Sequence, residues 1–377
     1  MPTIEVVGKY AREEWFLPER LLTKIAKNIE KGKRTVVRVP GRIDLAGGWN
    51  DTPPYHFENE AAVLNTSLSF GNQWMVEVEV QKAEYFSFIE NNYVQLPPID
   101  HIVMLKVLEF LGLSLPPITV SIKNTIPKGS GLGGSSLLAS AILSAVMSFA
   151  LGAEYVIERP GMIANAVLMI EQMIGSGGGW QDQIGGMMPG IKLIETNPKT
   201  CSTYHITYLN DLVADKLSSH SLVLNTGIRR KAANVLEPIR ELYVKKDKRA
   251  LQMLIDIRGL AKQSFKHLES VVIKDFAETL TLAWNRVVEV ESKSTVPVVK
   301  EIMGLCGGDL IGLKIAGAGG GGFAILIFVS EEARNYHEIR IQDEVPVGTV
   351  YRPTFGRSGM VIIQSGKSHR MTKKEKI

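Results

Sequence analysis

Cysteine is nearly absent from these 377 residues: Cys201 and Cys306 stand alone, in no metal-ligand spacing. That excludes a disulfide framework and a zinc site, and it suits a reducing compartment. A large excess of one charge is missing too. The 43 basic and 39 acidic residues leave a formal charge of +4, too small an imbalance to indicate a nucleic acid or a membrane as partner. No uninterrupted run of ~18 apolar residues is evident. Charged and polar residues, not an apolar signal core, follow Met1, so a cytoplasmic protein is expected. Internal repeats and long low-complexity linkers are also lacking.

The composition, 45% hydrophobic and 22% charged, is that of a globular protein with a sizeable core. The length exceeds one domain of ~100–200 residues and predicts two lobes around a cleft. The segment Lys367–Ile377 carries five basic side chains and one acidic one, which reads as a frayed, solvated tail without function.

Hydrophobic periodicity predicts a helix over 14–31 and a β-branched strand over 35–39. Strands at 75–80 and 118–122 flank a helical stretch at 101–111, an α+β pattern. A helix is expected to begin near Ser135, largely buried over 137–150, and another to run from about 160 to 173. Strand-like runs follow at 191–195 and 202–208, then a buried strand at 221–226. Three helices are expected near 229–245, 248–268 and 275–293. Strands return at 310–315 and 323–329, with further candidates near 338–342 and 348–353.

Glycine is abundant, and its placement is informative. The strand at 118–122 runs into Pro127-Lys128-Gly129-Ser130-Gly131-Leu132-Gly133-Gly134-Ser135-Ser136, which opens into a helix. Glycines permit close approach, and the first helical turn offers unpaired N–H donors and the positive end of its dipole, so an anion belongs there. The segment is neither G-x-x-x-x-G-K-[ST] nor a dinucleotide-binding G-x-G-x-x-G. Phosphoryl transfer to a hydroxyl also needs a divalent cation and a proton acceptor. Glu171 and Asp182 suit these tasks, because the glycine run 175–179 between them lets both carboxylates face one cleft.

Pro127–Ser136 resembles the second motif of the GHMP kinases, the superfamily of galactokinase, homoserine kinase and the mevalonate kinases. Pro40–Asp51 (PGRIDLAGGWND) resembles the first motif and Lys314–Gly322 (KIAGAGGGG) the third, so the similarity spans about residues 35–355. The resemblance implies an α+β, two-lobed fold. Its N-terminal ATP-binding lobe (35–208) resembles ribosomal protein S5 domain 2, and its C-terminal lobe (209–366) is ferredoxin-like. A helical extension (1–34) precedes them and the basic tail (367–377) follows.

The resemblance further implies MgATP as co-substrate, with Lys128, Gly129, Ser130, Gly131, Leu132, Gly133, Gly134, Ser135 and Ser136 binding ATP. Glu171 and Ser135 would coordinate Mg²⁺, with Ser136 as a capping or phosphate-contacting hydroxyl. Asp182 would be general base or orienting acceptor at the substrate hydroxyl. Arg42 would lie beside it, lowering its pKa and stabilising phosphate charge. Gly317, Gly319 and Gly320 would support the site by close packing against the second motif or ATP.

Motif one bears most on the acceptor. Asp44, Trp49 and Asp51 are candidate sugar contacts, Asp51 through two neighbouring hydroxyls and Trp49 through an apolar face. GRIDLAGGWNDTPPY and the stretch Asn225–Arg230 are most similar to L-fucokinase domains, whereas galactokinases carry Glu-His at Gly48-Trp49. The expected reaction forms a sugar 1-phosphate from L-fucose or a related monosaccharide, with sugar and MgATP as partners and a homodimer left open. A fused nucleotidyltransferase has no room here, leaving a stand-alone enzyme or a fragment. The alternatives are a D-glycero-D-manno-heptose 7-phosphate kinase, for which Arg229, Arg230 and Lys231 would bind the extra phosphate, and a non-catalytic regulator, disfavoured by the joint presence of Glu171 and Asp182.

Overall fold

The computed structural model describes residues 34–71, 73–85, 87–90, 93–95, 117–200, 203–228, 233–345 and 349–377. The helix expected over 14–31, the helical stretch at 101–111, Cys201, and the cluster Arg229, Arg230 and Lys231 lie outside the described residues.

The first half opens on β1 (Thr35–Val39) and β2 (Gly41–Ala46), separated by Pro40, which has no N–H for a sheet ladder. A short helix α1 (Tyr55–Glu58) leads into β3 (Ala61–Ser69), then β4 (Val76–Lys82), β5 (Ser87–Glu90), β6 (Tyr93–Gln95) and β7 (Ile118–Asn124). In β4 every second residue, Val76, Val78 and Val80, is buried, as strand alternation requires. The helix α2 (Gly134–Leu151) stops at Gly152, whose φ of 98° ends the helical course. Then come α3 (Ala153–Glu158), α4 (Pro160–Met173), begun by a proline whose missing N–H costs nothing there, α5 (Gln181–Met187), β8 (Ile191–Thr196) and β9 (His205–Tyr208).

In the second half α6 (Asp211–Ser219) precedes β10 (Ser221–Asn225) and the helices α7 (Ala233–Val244), α8 (Lys248–Glu269), α9 (Ile273–Val290) and α10 (Val298–Cys306). Next are β11 (Leu310–Ile315), β12 (Phe323–Phe328), α11 (Glu331–Glu344), β13 (Val350–Tyr351), β14 (Thr354–Phe355), β15 (Val361–Gln364) and β16 (Lys367–Arg370).

The described strands form three sheets. The largest runs β16-β15-β1-β4-β7-β5-β6, and α2 packs on β1 and β4. A second runs β14-β3-β8-β9, with β2 paired to β3. The third, β11-β12-β10-β13, belongs to the C-terminal lobe. Read as strands one to four in chain order it runs 2-3-1-4, the ferredoxin-like arrangement of a βαββαβ unit. The helices α8 and α9 pack on each other and join the lobes, α8 lying on β3 and α9 on β11. The fold is therefore α+β and two-lobed.

Two expectations are corrected and a third is tested. Residues 338–342 are helical, within α11, which Ser330 caps by accepting from the Ala333 N–H. The tail does not fray: β16 pairs with β15, Met371 is buried, and Ile377 and Tyr204 exchange two backbone hydrogen bonds. The lobe assigned to 35–208 is thus completed by strands from 361–370. Finally, α2 has the length and mean hydropathy (1.7) of a membrane span. Ser140, Ser144 and Ser148 interrupt it in sequence, and 83% of it is buried within the protein, so it reads as a core helix.

Candidate active site

A cleft of about 390 Å³ receives Lys128, Gly129, Ser130, Ser135, Glu171 and Asp182. Its other wall includes Arg42, Trp49, Gly317 and Ala318. The glycine-rich turn is shaped by Gly129, Gly131 and Gly133, with φ of 75°, 77° and 77°, a region closed to most side chains. The helix α2 then starts at Gly134 with no capping side chain and no acidic residue in its first turn, leaving N–H donors and dipole uncompensated. Ser130 is buried and its Oγ accepts from the Leu132 N–H at 3.3 Å, closing the turn, while Lys128 is exposed at the cleft mouth.

The third motif locks this loop. Phe323 N–H donates to Ser130 O at 2.8 Å, and a side chain at Gly322 would collide with that carbonyl. Gly317 N–H donates instead to Asp44 Oδ1 at 2.6 Å, and Gly320 N–H to Ser294 O at 2.7 Å, where Gly319 also packs.

Asp182 stands in the first turn of α5. Arg42, from β2, donates to its Oδ1 through Nε at 2.8 Å, with Nη2 2.5 Å from the same oxygen, and through Nη1 to Gly131 O at 2.5 Å. One guanidinium thus ties the acid to the phosphate-type loop. The fit is close, since a Cβ at Gly133 would lie 2.9 Å from Arg42 Nε and 3.4 Å from Asp182 Cβ. Burial pulls the Arg42 pKa down, but Asp182, then Asp44, outweigh it and the net direction is upward.

Glu171, on α4, is buried. Ser136 Oγ donates to its Oε1 at 2.7 Å and Ser176 Oγ to its Oε2. Burial pushes the carboxyl pKa up, and the Ser176 and Ser136 hydroxyls oppose that. Ser135 is exposed to the cleft one residue earlier. One carboxylate with adjacent hydroxyls is a hard-oxygen set that suits Mg²⁺, which commonly takes one or two carboxylates and completes its shell with water and phosphate.

The three motif-one candidates are placed differently. Trp49 borders the cleft, is 5% exposed and has a φ of 87°, a strained value for a tryptophan. Asp44 is fully buried, with Oδ2 2.5 Å from Lys314 Nζ. It joins motif one to motif three and presents no free carboxylate oxygen to the cleft. Asp51 is also fully buried, accepting from Trp49 N–H (3.1 Å), Gln181 N–H (3.1 Å) and Gln181 Nε2 (3.1 Å). Its carboxylate lies against Gly179, where any side chain would collide with it. Asp44 and Asp51 therefore brace the site, because their oxygens already have protein partners. Sequence reasoning gave no role to Lys314, Gln181 or Ser176. A hydroxyl inside the glycine run between the two acids was the available signal for Ser176.

Burial, then the negative charge of Asp182, raises the Asp51 pKa to about 7. Between about pH 4, where an unfolded aspartate ionises, and the folded value, the folded chain keeps a proton that the unfolded chain has lost. This contribution to stability therefore falls as pH rises across that window. Asp51→Asn is expected to flatten that slope, read from guanidinium unfolding at pH 5 and 7.5. Equal slopes in both proteins would mean that Asp51 stays ionised.

Known proteins resemble this chain in sequence and in fold. Residues 100–190 match the GHMP kinases N terminal domain, less than half of the chain. The bifunctional fucokinase/GDP-fucose pyrophosphorylase of Arabidopsis thaliana is 28% identical over 336 residues, 82% of this chain but 31% of that protein. The chain thus spans about a third of that relative's length. The D-glycero-alpha-D-manno-heptose 7-phosphate kinase of Campylobacter jejuni is 25% identical over 335 residues, 80% of this chain and 91% of the relative. Among solved structures, Lactococcus lactis galactokinase complexed with galactose superposes with a TM-score of 0.65 at 16% identity, covering 90% of this chain and 98% of that one. Three ordered motifs thus meet in one cleft, in a chain similar in sequence and in fold to GHMP kinases.

Proposed function

We propose that the chain is an ATP-dependent sugar kinase that phosphorylates the anomeric hydroxyl of L-fucose or a related monosaccharide. The observation that carries this reading is Arg42, which holds Asp182 and the carbonyl of Gly131 at once, so that a proton acceptor sits at the rim of the anion cradle. Lys128 and the backbone of Gly129–Ser136 hold the phosphates. Glu171 with Ser135, and Ser136 behind it, would hold Mg²⁺, which when bound spreads the phosphate charge. Asp182 orients the acceptor hydroxyl and takes or shares its proton, and Arg42 keeps the carboxylate in place and faces the developing charge. Trp49, Thr52 and Gln181 line the same cleft and offer the sugar one apolar face, one hydroxyl and one amide. L-fucose is favoured by the motif-one resemblance and by the fucokinase name of the Arabidopsis relative.

The decisive experiment is ADP release across L-fucose, D-arabinose, galactose, mannose and heptose 7-phosphate, with ³¹P NMR of the product. L-fucose is expected to give the highest kcat/KM and a sugar 1-phosphate. Release with heptose 7-phosphate alone would replace the acceptor. Absence of any sugar-stimulated release would favour the non-catalytic reading.

A further inference from the structure

One buried charge has no part in this chemistry. Lys192, on β8, is 0% exposed, and its Nζ donates to three backbone carbonyls: Gly185 at 2.9 Å, Met188 at 2.9 Å and Gly190 at 3.1 Å. Among the described residues no carboxylate is paired with it, and the charge that acts on it is that of another lysine, Lys373. Burial drives its pKa well below the usual lysine range. The surroundings nevertheless match the protonated form, because three acceptors meet the three protons of an ammonium. Carbonyl oxygens hold a dehydrated potassium ion in the same manner.

The three carbonyls belong to the C-terminal end of α5 and the turn after it. This helix carries Asp182 in its first turn and has only seven residues, too few for its own hydrogen bonds to hold it. Its position is imposed from outside. Asn65, directly across the sheet from Lys192, donates through Nδ2 to Gln181 O at 3.2 Å. Directly opposed residues share a sheet face, so this cross-strand pair grips both ends of α5. Clearance is small on both flanks: a Cβ at Gly185 would lie 2.5 Å from Asn65 Oδ1, and one at Gly186 would collide with Leu137 of α2.

We propose that Lys192 is a positioning residue that serves as a built-in monovalent cation: its ammonium, seated on the carbonyls of Gly185, Met188 and Gly190, fixes the helix that presents Asp182. The inference rests on the role given to Asp182 above. Lys192→Met and Lys192→Ala test it. Each is refolded and assayed in sodium, potassium, ammonium or choline chloride at equal ionic strength, with MgATP and L-fucose.

Both variants are expected to lose about tenfold to a hundredfold in kcat in sodium, the scale of a misplaced reacting group, with KM for ATP little changed. In Lys192→Ala, potassium or ammonium is expected to restore kcat saturably where sodium and choline do not. Amide hydrogen exchange of residues 181–190 should follow the same order of salts. Full kcat in Lys192→Met, losses that no cation reverses, or failure to fold in all four salts would each overturn the proposal. The parent reading fails separately, if Asp182→Asn keeps its turnover or wild type ignores L-fucose. The exchange measurement needs no acceptor and still decides the role of Lys192.

Discussion

Asp182→Asn is expected to cut turnover by about 10²–10⁴-fold, the usual reach of a positioned acid or base, while MgATP binds almost as before. Asparagine is close in size and keeps an oxygen for the Arg42 fork, which now contacts Asp182 through Nε and Nη2. What it loses is the ability to take a proton or to carry charge beside the acceptor. The loop proposed to hold the phosphates does not depend on this carboxylate, because the glycines and the start of α2 are held by Arg42, Phe323 and Gly322. The check is steady-state ADP release with L-fucose beside calorimetric titration of MgATP. Unchanged turnover removes Asp182 from the chemistry, and a joint collapse of turnover and nucleotide affinity would make it a structural brace.

Lys314→Met should be the costliest single change outside the cleft, destabilising the fold by about 3–5 kcal/mol, as expected when one member of a buried pair is removed. Asp44 is 0% exposed, and its nearest other cationic nitrogen, Arg42 Nη1, lies 3.8 Å away. Burial raises the Asp44 pKa, Lys314 and then Arg42 outweigh it, and the net direction is down. The pair therefore stabilises the fold above the unfolded aspartate pKa, and that contribution disappears as pH falls through the lower folded value. Guanidinium unfolding at neutral pH measures the loss. The double variant Asp44→Asn/Lys314→Met should recover part of it, because no uncompensated carboxylate is then left buried. A cost below about 1 kcal/mol for the single variant, the scale of a surface pair, would mean that Arg42 alone satisfies Asp44.

The sequence was most legible where the chemistry is local. The glycine-rich turn running into an apolar helix could be read from spacing alone, and Glu171, the glycine run and Asp182 lie within twelve residues of one another. Partners distant in sequence were not legible. Nothing around Asp44 says that its carboxylate is spoken for by a lysine 270 positions later, so a polar residue in a sugar-kinase motif was read as a sugar contact. Strand β3 went unnoticed because it is buried on both faces, which removes the alternation that marks a half-exposed strand. In α11 the reverse happened: Glu338-Ile339-Arg340-Ile341-Gln342 alternates like a strand, while the helix signal lay upstream in Ser330 and its two glutamates. The tail was misjudged because its lysines suggested solvent, although Lys373 and Lys374 reach back to Leu209, Ile157 and Glu158 carbonyls.

The docked C-terminal strands bear on how the chain is made. Strand β1 is flanked by β4 and by β15, so one side of it stays bare on the ribosome until residues near 364 have emerged. The long stretch of chain between β1 and β15 must be synthesised before this sheet is complete. Its exposed edge is open meanwhile to pairing with other nascent chains, which makes the interval between synthesis of β1 and of β15 the stage at which chaperone occupancy should be highest.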